Sequence, residues 1–143
     1  MNKDNKKSGV FFLKGWDFER AGEASSELRK ILIDNNIPQD IIRRASIAAF
    51  EAEMNVIVYA TAGMLKFEIK EGVIEIIVED MGPGIEDIEL AMQEGYSTAP
   101  DEVRAMGWGA GMGLPNMKKN ADEFNISSTV GIGTTVELRF YLP

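Results

Sequence analysis

Between Glu19 and Asn35 the apolar residues Ala24, Leu28, Ile31 and Leu32 recur at the spacing of one helix face, and Asn35-Asn36-Ile37-Pro38 ends the pattern. A second and longer helix is predicted over 39–61, with Ile41, Ala45, Ala48, Ala52, Val56 and Tyr59 along its apolar side and Gly63 as its stop. The period then changes. Leu65–Lys70 and Val73–Glu79 read as strands joined by a turn at Glu71-Gly72, and the second, VIEIIVED, is apolar enough for the middle of a sheet. Residues 9–16 predict a first strand, 85–93 a short helix and 115–124 another. Asn125–Val130 and Thr134–Leu142 predict a closing hairpin around Gly-Ile-Gly. Residues 94–112 carry no period and are rich in Gly, Ser, Thr and Pro, which predicts a long loop of the kind that serves function.

The predicted elements make an α+β fold: a two-layer sandwich in which a mixed, mostly antiparallel sheet carries helices on one face. No repeat, low-complexity tract or linker divides the chain, so residues 1–143 are expected to form one domain.

Charge narrows the partners. A formal net charge of −8 argues against nucleic acid and anionic membranes, which require a basic surface. The absence of cysteine excludes disulfides, thiolate metal sites and cysteine nucleophiles, and the absence of histidine excludes imidazole chemistry within the chain. The polar start MNKDNKKSG and the short apolar run after it do not form a secretory signal, so the cytoplasm is the expected location.

The glycines carry the candidate chemistry. Gly107, Gly109, Gly111 and Gly113 alternate in GWGAGMGLPNM. Neither familiar phosphate pattern fits: G-x-x-x-x-G-K-[ST] is absent, and G-x-G-x-x-G fails because its sixth position falls on Met112, Leu114 or Asn116. Bare backbone can still turn its N–H groups onto an anion, and Pro115 suits the first turn of a helix aimed back at the loop. A plain hinge is the competing reading. A second cluster, Asp80-Met81-Gly82-Pro83-Gly84-Ile85, follows an apolar strand. There an ionised Asp80 can accept from an exocyclic amino group beside a flat ring, or can simply begin a turn. On the long helix, Glu51 and Asn55 stand at i and i+4 while Glu53 points to the far side. The Glu51/Asn55 pair could hold Mg²⁺ or accept a hydroxyl proton, or it could be an ordinary solvated face.

The order of these elements adds what each lacks alone. Glu51/Asn55, then Asp80-x-Gly-x-Gly-Ile, then Gly109-x-Gly-x-Gly-Leu, then Gly131-x-Gly-Thr134 resembles the N-box, G1 box, G2 box and terminal Gly-Thr element of the GHKL ATPase superfamily. Within it, FEAEMNVIVYA, EDMGPGIEDIE, GYSTAP and GAGMGLPNMKKNADEFNI are most similar to the anti-sigma-factor and switch serine kinases of the RsbW/RsbT type. The resemblance implies the Bergerat-type sandwich, ATP and Mg²⁺ as cofactors, and transfer of the γ-phosphate to a Ser or Thr. It implies partners as well: a STAS-domain anti-anti-sigma or stress-complex protein, or a sigma factor, with homodimers known in the family. Carried over by position, Glu51 is the residue that orients or deprotonates the attacking hydroxyl and Asn55 the Mg²⁺ ligand. Asp80 holds adenine with Gly82, Gly84 and Ile85 beside it. Gly109, Gly111, Gly113 and Leu114 form the phosphate-contacting lid end, and Thr134 helps hold adenine. The segment APDEVRAM departs from the shortest members of this branch, and no motif assigns Arg104 a role. Ser97-Thr98 reads as the start of a turn. A protein that binds nucleotide and partner but transfers nothing is the alternative from a different functional class.

Overall fold

The computed structural model describes residues 5–105 and 111–143. Strand β1 (Ser8–Lys14) is followed by a 3-10 turn at Phe18–Arg20 and by helices α1 (Glu23–Asp34) and α2 (Gln39–Tyr59). Strands β2 (Ala62–Lys70) and β3 (Val73–Met81), helices α3 (Ile88–Ala91), α4 (Asp101–Ala105) and α5 (Gly113–Asn120), and strands β4 (Glu123–Thr129) and β5 (Gly133–Tyr141) complete the chain. The sheet order is β1-β2-β3-β5-β4, and each of its pairings is antiparallel. The expectation of a mostly antiparallel sheet under one helical layer therefore holds, and β3 and β4, which run parallel with β5 between them, are joined by a crossover that carries α3, α4 and α5.

The apolar alternation of the strands explains the layering. Leu65, Ile74, Ile76, Leu138 and Phe140 are wholly buried on one sheet face, where they meet Leu28, Leu32, Ala45 and Ala48 from the helices. The alanines of α2 let its backbone settle close to the sheet. The opposite face of β3, β4 and β5 is polar: Arg139 bridges Glu75 at 3.0 Å and Glu123 at 3.5 Å, and the Tyr141 hydroxyl donates to Glu123.

Four boundaries differ from the sequence expectation, each for a tertiary reason. Helix α1 begins at Glu23, because Gly22 turns into the left-handed region (φ +94°) and Glu53 reaches across to receive the helix start. The Glu53 carboxylate, 1% exposed, accepts the backbone N–H groups of Gly22 (3.0 Å), Ala24 (3.3 Å) and Ser25 (3.0 Å). Glu53 thus faces away from Glu51 as the helical spacing predicts, into the core and onto otherwise unpaired donors. Replacing it with glutamine keeps the volume but turns an amino group onto those N–H groups. Glu53→Gln should lower unfolding free energy by about 2 kcal/mol, read by urea denaturation; an unchanged midpoint would show that these bonds contribute nothing.

Helix α3 is shorter than predicted, starting after the Asp87 cap, whose carboxylate accepts the Leu90 N–H at 3.0 Å. The loop predicted over 94–112 contains α4, held by Val103 (0% exposed) and Ala99 against Met54, Ile57 and Val58 of α2. Finally, 121–124 is not helical: β4 starts at Glu123, because Phe124 pairs with Leu138 and packs on the core while Glu123 pairs with Arg139.

Candidate functional site

Helix α2 carries Glu51 and Asn55 one turn apart, both half-buried, on the side that meets the start of α5. The approach is close. A Cβ placed on Gly113 would stand 3.0 Å from Asn55 Oδ1 and 3.5 Å from Glu51 Oε2, so any side chain there would occupy the space in front of both groups. One turn along α5, the Asn116 side chain stands near the Glu51 carboxylate. Burial holds the Glu51 carboxyl above the usual carboxylate range, and the Asn116 side chain opposes that shift. Among the described residues no side chain caps the start of α5, and Pro115 sits among the positions that need no donor. Leu114 is buried and anchors the turn in the core.

A second group forms where β3 ends and β5 begins. The Thr134 N–H donates to Asp80 Oδ1 at 3.1 Å, joining residues 54 apart in the chain. Gly133 permits this: its φ is +156°, and a Cβ would lie 1.9 Å from the Asp80 carbonyl oxygen. Burial raises the Asp80 carboxyl, and the Thr134 N–H partly offsets it. Ser128 knits the surroundings together, since its Oγ accepts the Ile85 N–H (2.8 Å), lies 2.9 Å from Thr134 Oγ1 and reaches the Gly133 carbonyl (3.1 Å). With the Gly131 N–H donating to Pro83 O at 2.8 Å, these bonds clamp the Gly82–Ile85 loop onto the β4–β5 turn. Gly84 packs directly on the Thr129 backbone, and Gly82 leaves the flank of Asp80 open: a Cβ there would be 3.1 Å from Asp80 Oδ1.

The end of α2 connects the two groups. Ala60 touches the Gly82 position, and Asn55 lies roughly 8 Å back along the same axis. An acceptor-only carboxylate beside open backbone stands at one end, and an amide, a carboxylate and the backbone start of α5 at the other. That donor set fits adenine at Asp80 and phosphates at α5. Mg²⁺ fits as well, provided phosphate and water complete its shell. Among the described residues no cluster of three acidic, histidine or cysteine side chains could cage a metal alone, and Mg²⁺ commonly binds by one or two protein oxygens plus phosphates.

The remaining expectations divide. Gly111 O accepts the Gly95 N–H at 3.0 Å, closing the neck of the segment between them. Gly109 lies outside the described residues, together with Gly107 and Trp108, as does the side chain of Arg104. Ser97 Oγ accepts the Ala99 N–H at 3.1 Å and pairs with the Tyr59 hydroxyl at 3.0 Å, the turn that its sequence predicts. Asn116 and Ser128 were not singled out from the sequence. The signal for Asn116 was its place three residues after Gly113 on one helix face; Ser128 carried none, because its partners come from three other segments. A groove of about 930 Å³ lies elsewhere, along β1 and the start of α1.

Comparison with known proteins shows the family and the fold. Residues 40–143 match the family described as histidine kinase-, DNA gyrase B- and HSP90-like ATPase. The chain is 33% identical over 138 residues to a serine/threonine-protein kinase RsbT of Bacillus subtilis, covering 93% of this chain and 95% of that one. It is 31% identical over 106 residues to an anti-sigma F factor of Priestia megaterium, covering 74% of this chain and 66% of the relative. A crystal structure of the RsbU and RsbW domains of a Mycobacterium tuberculosis protein superposes with a TM-score of 0.65 at 19% identity, covering 96% of this chain and 32% of that one, and so shares the fold. The glycine elements, the sandwich that positions them and these relatives agree: the chain belongs to the histidine kinase-, DNA gyrase B- and HSP90-like ATPase family.

Proposed function

We propose that this protein is an ATP- and Mg²⁺-dependent serine/threonine protein kinase that phosphorylates a STAS-domain regulatory protein and controls a sigma-factor pathway by partner switching. The observation that carries the reading is the half-buried Glu51, set beside Asn55 and facing the bare start of α5. Asp80 accepts from the exocyclic amine of adenine, with Thr134 and the Gly82–Ile85 loop around the base. Asn55 Oδ1 would supply an oxygen to Mg²⁺, and the backbone from Gly111 to Leu114 faces the phosphates. Mg²⁺ held there would supply charge neutralisation to the transferring phosphoryl group. Glu51 orients the partner's hydroxyl and accepts its proton as that oxygen bonds to the γ-phosphorus and ADP leaves. A carboxyl raised by burial suits this task, because it brings the base nearer to working pH.

The test is incubation of the protein with γ-labelled ATP, Mg²⁺ and STAS-domain proteins of the same organism. Label should appear on a serine or threonine of one of them and vanish with chelation of the metal. Saturable ATP binding with no label on any STAS protein would leave a nucleotide-dependent binding regulator and remove the kinase. This acidic chain should bind its regulators directly, without nucleic acid, and among the described residues no helix is long and apolar enough to cross a membrane.

A further inference from the structure

Helix α5 lies antiparallel along α2. Its first turn faces Glu51 and Asn55, and its end meets the first half of α2, where the Arg44 guanidinium donates to the Asn120 carbonyl at 2.8 Å. Beside this seam Arg43, Ile47 and Glu51 follow one another at four-residue spacing and form one strip along α2. The strip is open to solvent: Arg43 is exposed, Ile47 is 37% exposed and Glu51 is half-buried.

Charge varies along the strip. At its Arg43 end, Arg43 and Arg44 share the Asp40 carboxylate (3.0 and 3.1 Å), Arg44 reaches Asp122 (3.5 Å), and the last turn of α5 adds Lys118 and Lys119. Four cations meet two carboxylates there, in a chain whose net charge is −8. Both lysines are exposed, and among the described residues no carboxylate stands within ion-pair distance of either. Beyond Glu51 the sign reverses: α4, held against Met54, Ile57 and Val58, begins with the exposed Asp101 and Glu102.

We propose that this strip receives the acceptor segment of the partner, an extended stretch with an apolar residue two positions from its Ser or Thr and a carboxylate four positions away on the same side. The inference rests on the kinase reading above for the hydroxyl at Glu51 and adds what the rest of the segment must carry. Neighbours in the strip are four residues apart, about 6 Å along the helix axis. Alternate side chains of an extended segment point the same way and repeat at roughly 6.6 Å. The two repeats stay in step over three members. A hydroxyl at Glu51 therefore leaves an apolar side chain over Ile47 and a carboxylate at Arg43 and the end of α5. A basic residue at that last place would meet four cations, and a segment turned end for end would carry its carboxylate toward Asp101 and Glu102. Both chain directions satisfy the spacing, and charge fixes which end lies at Arg43.

Two measurements test it. The first is an NMR titration of the full chain, following the Ile47 methyl and Lys119 amide signals with capped peptides at millimolar concentration. Glu-Ala-Leu-Ala-Ser and Ser-Ala-Leu-Ala-Glu carry the pattern in its two directions, and the same peptides with Lys in place of Glu are the controls. At least one acidic peptide should shift both signals saturably, and the lysine peptides should shift neither. No shift with either acidic peptide, or equal shifts with the lysine peptides, overturns the proposal whether or not the protein transfers phosphate. The second measurement uses the STAS-domain protein that takes label in the kinase assay. Ile47→Asp and Lys119→Glu should each raise KM for that protein about tenfold, with KM for ATP unchanged. Lys30→Glu, the same charge change on α1, should leave both constants at their wild-type values. Salt should raise the wild-type KM for the partner more steeply than that of Lys119→Glu. An unchanged partner KM in both strip variants overturns the proposal. Label on no STAS protein removes the kinase reading instead, and the peptide titration then decides this one.

Discussion

Glu51→Gln should lower phosphate transfer about a thousandfold while leaving Mg²⁺-nucleotide affinity within about a factor of two. Glutamine keeps the shape of the side chain and can still stand beside Asn116, but it cannot take a proton from the attacking hydroxyl. The effect belongs in kcat, because the group acts on charge that develops during transfer. Single-turnover transfer of label, set beside calorimetric nucleotide binding, separates the two quantities. Equal losses in both would make Glu51 a structural or binding residue, and retained transfer would remove it as the base. The wild-type pH profile should show an acidic limb above the ordinary carboxylate range, because burial holds the ionised form back. The same shift has a sign for stability. A carboxyl raised in the folded state binds its proton more tightly there than in the unfolded chain. The resulting stabilisation is present at low pH and is lost as pH rises through the folded-state value. Removing the ionisable group removes that loss, so Glu51→Gln should be at least as stable as the wild type at neutral pH.

Asp80→Ala should weaken ATP and ADP binding roughly a hundredfold, through loss of a charge-assisted hydrogen bond and of complementarity to the adenine amine. Among the described residues, the only bond drawn on by this carboxylate is the Thr134 N–H at 3.1 Å, which leaves its acceptor capacity for a ligand. Asp80→Asn gives the sharper contrast. Its carbonyl oxygen can keep the Thr134 bond, while its amino group would face the amine it should accept from. Affinity should fall as in the alanine variant, yet urea stability at neutral pH should hold or rise, since burial disfavours the ionised aspartate in the free protein. GTP provides the control: its base presents a carbonyl at the corresponding edge, so the wild type should prefer ATP and Asp80→Asn should lose that preference. An Asp80→Asn protein with wild-type ADP affinity would place adenine elsewhere.

The candidate site was more legible in the sequence than the packing that supports it. Glu51 and Asn55 were found together because four residues along a helix make neighbours by geometry alone. Asp80 was found because a polar residue closing an apolar strand, followed by glycines, is a local pattern. Their assembly into one site rests on long-range pairing. Thr134 meets Asp80 only because β5 inserts between β3 and β4 in the sheet, an order that no local period encodes. Glu53 shows the same limit from the other side. Its sequence context is that of a helix-surface acid, and its burial follows from three N–H groups of α1 that lie 28 to 31 residues away.

By itself the sequence determined the five strands and, apart from α4, the helices in their order, the hairpins at Glu71-Gly72 and Gly131-Ile-Gly133, and the placing of the glycine elements between them. These follow from side-chain period and turn chemistry, which act over a few residues. The tertiary structure alone decided where α1 starts, that α4 forms within the long loop by burying Val103, and that Glu123 and Phe124 join a strand where a helix was expected. Local propensities differ by amounts smaller than the burial of one large side chain, so where the two compete, the packing partner supplied by the fold prevails.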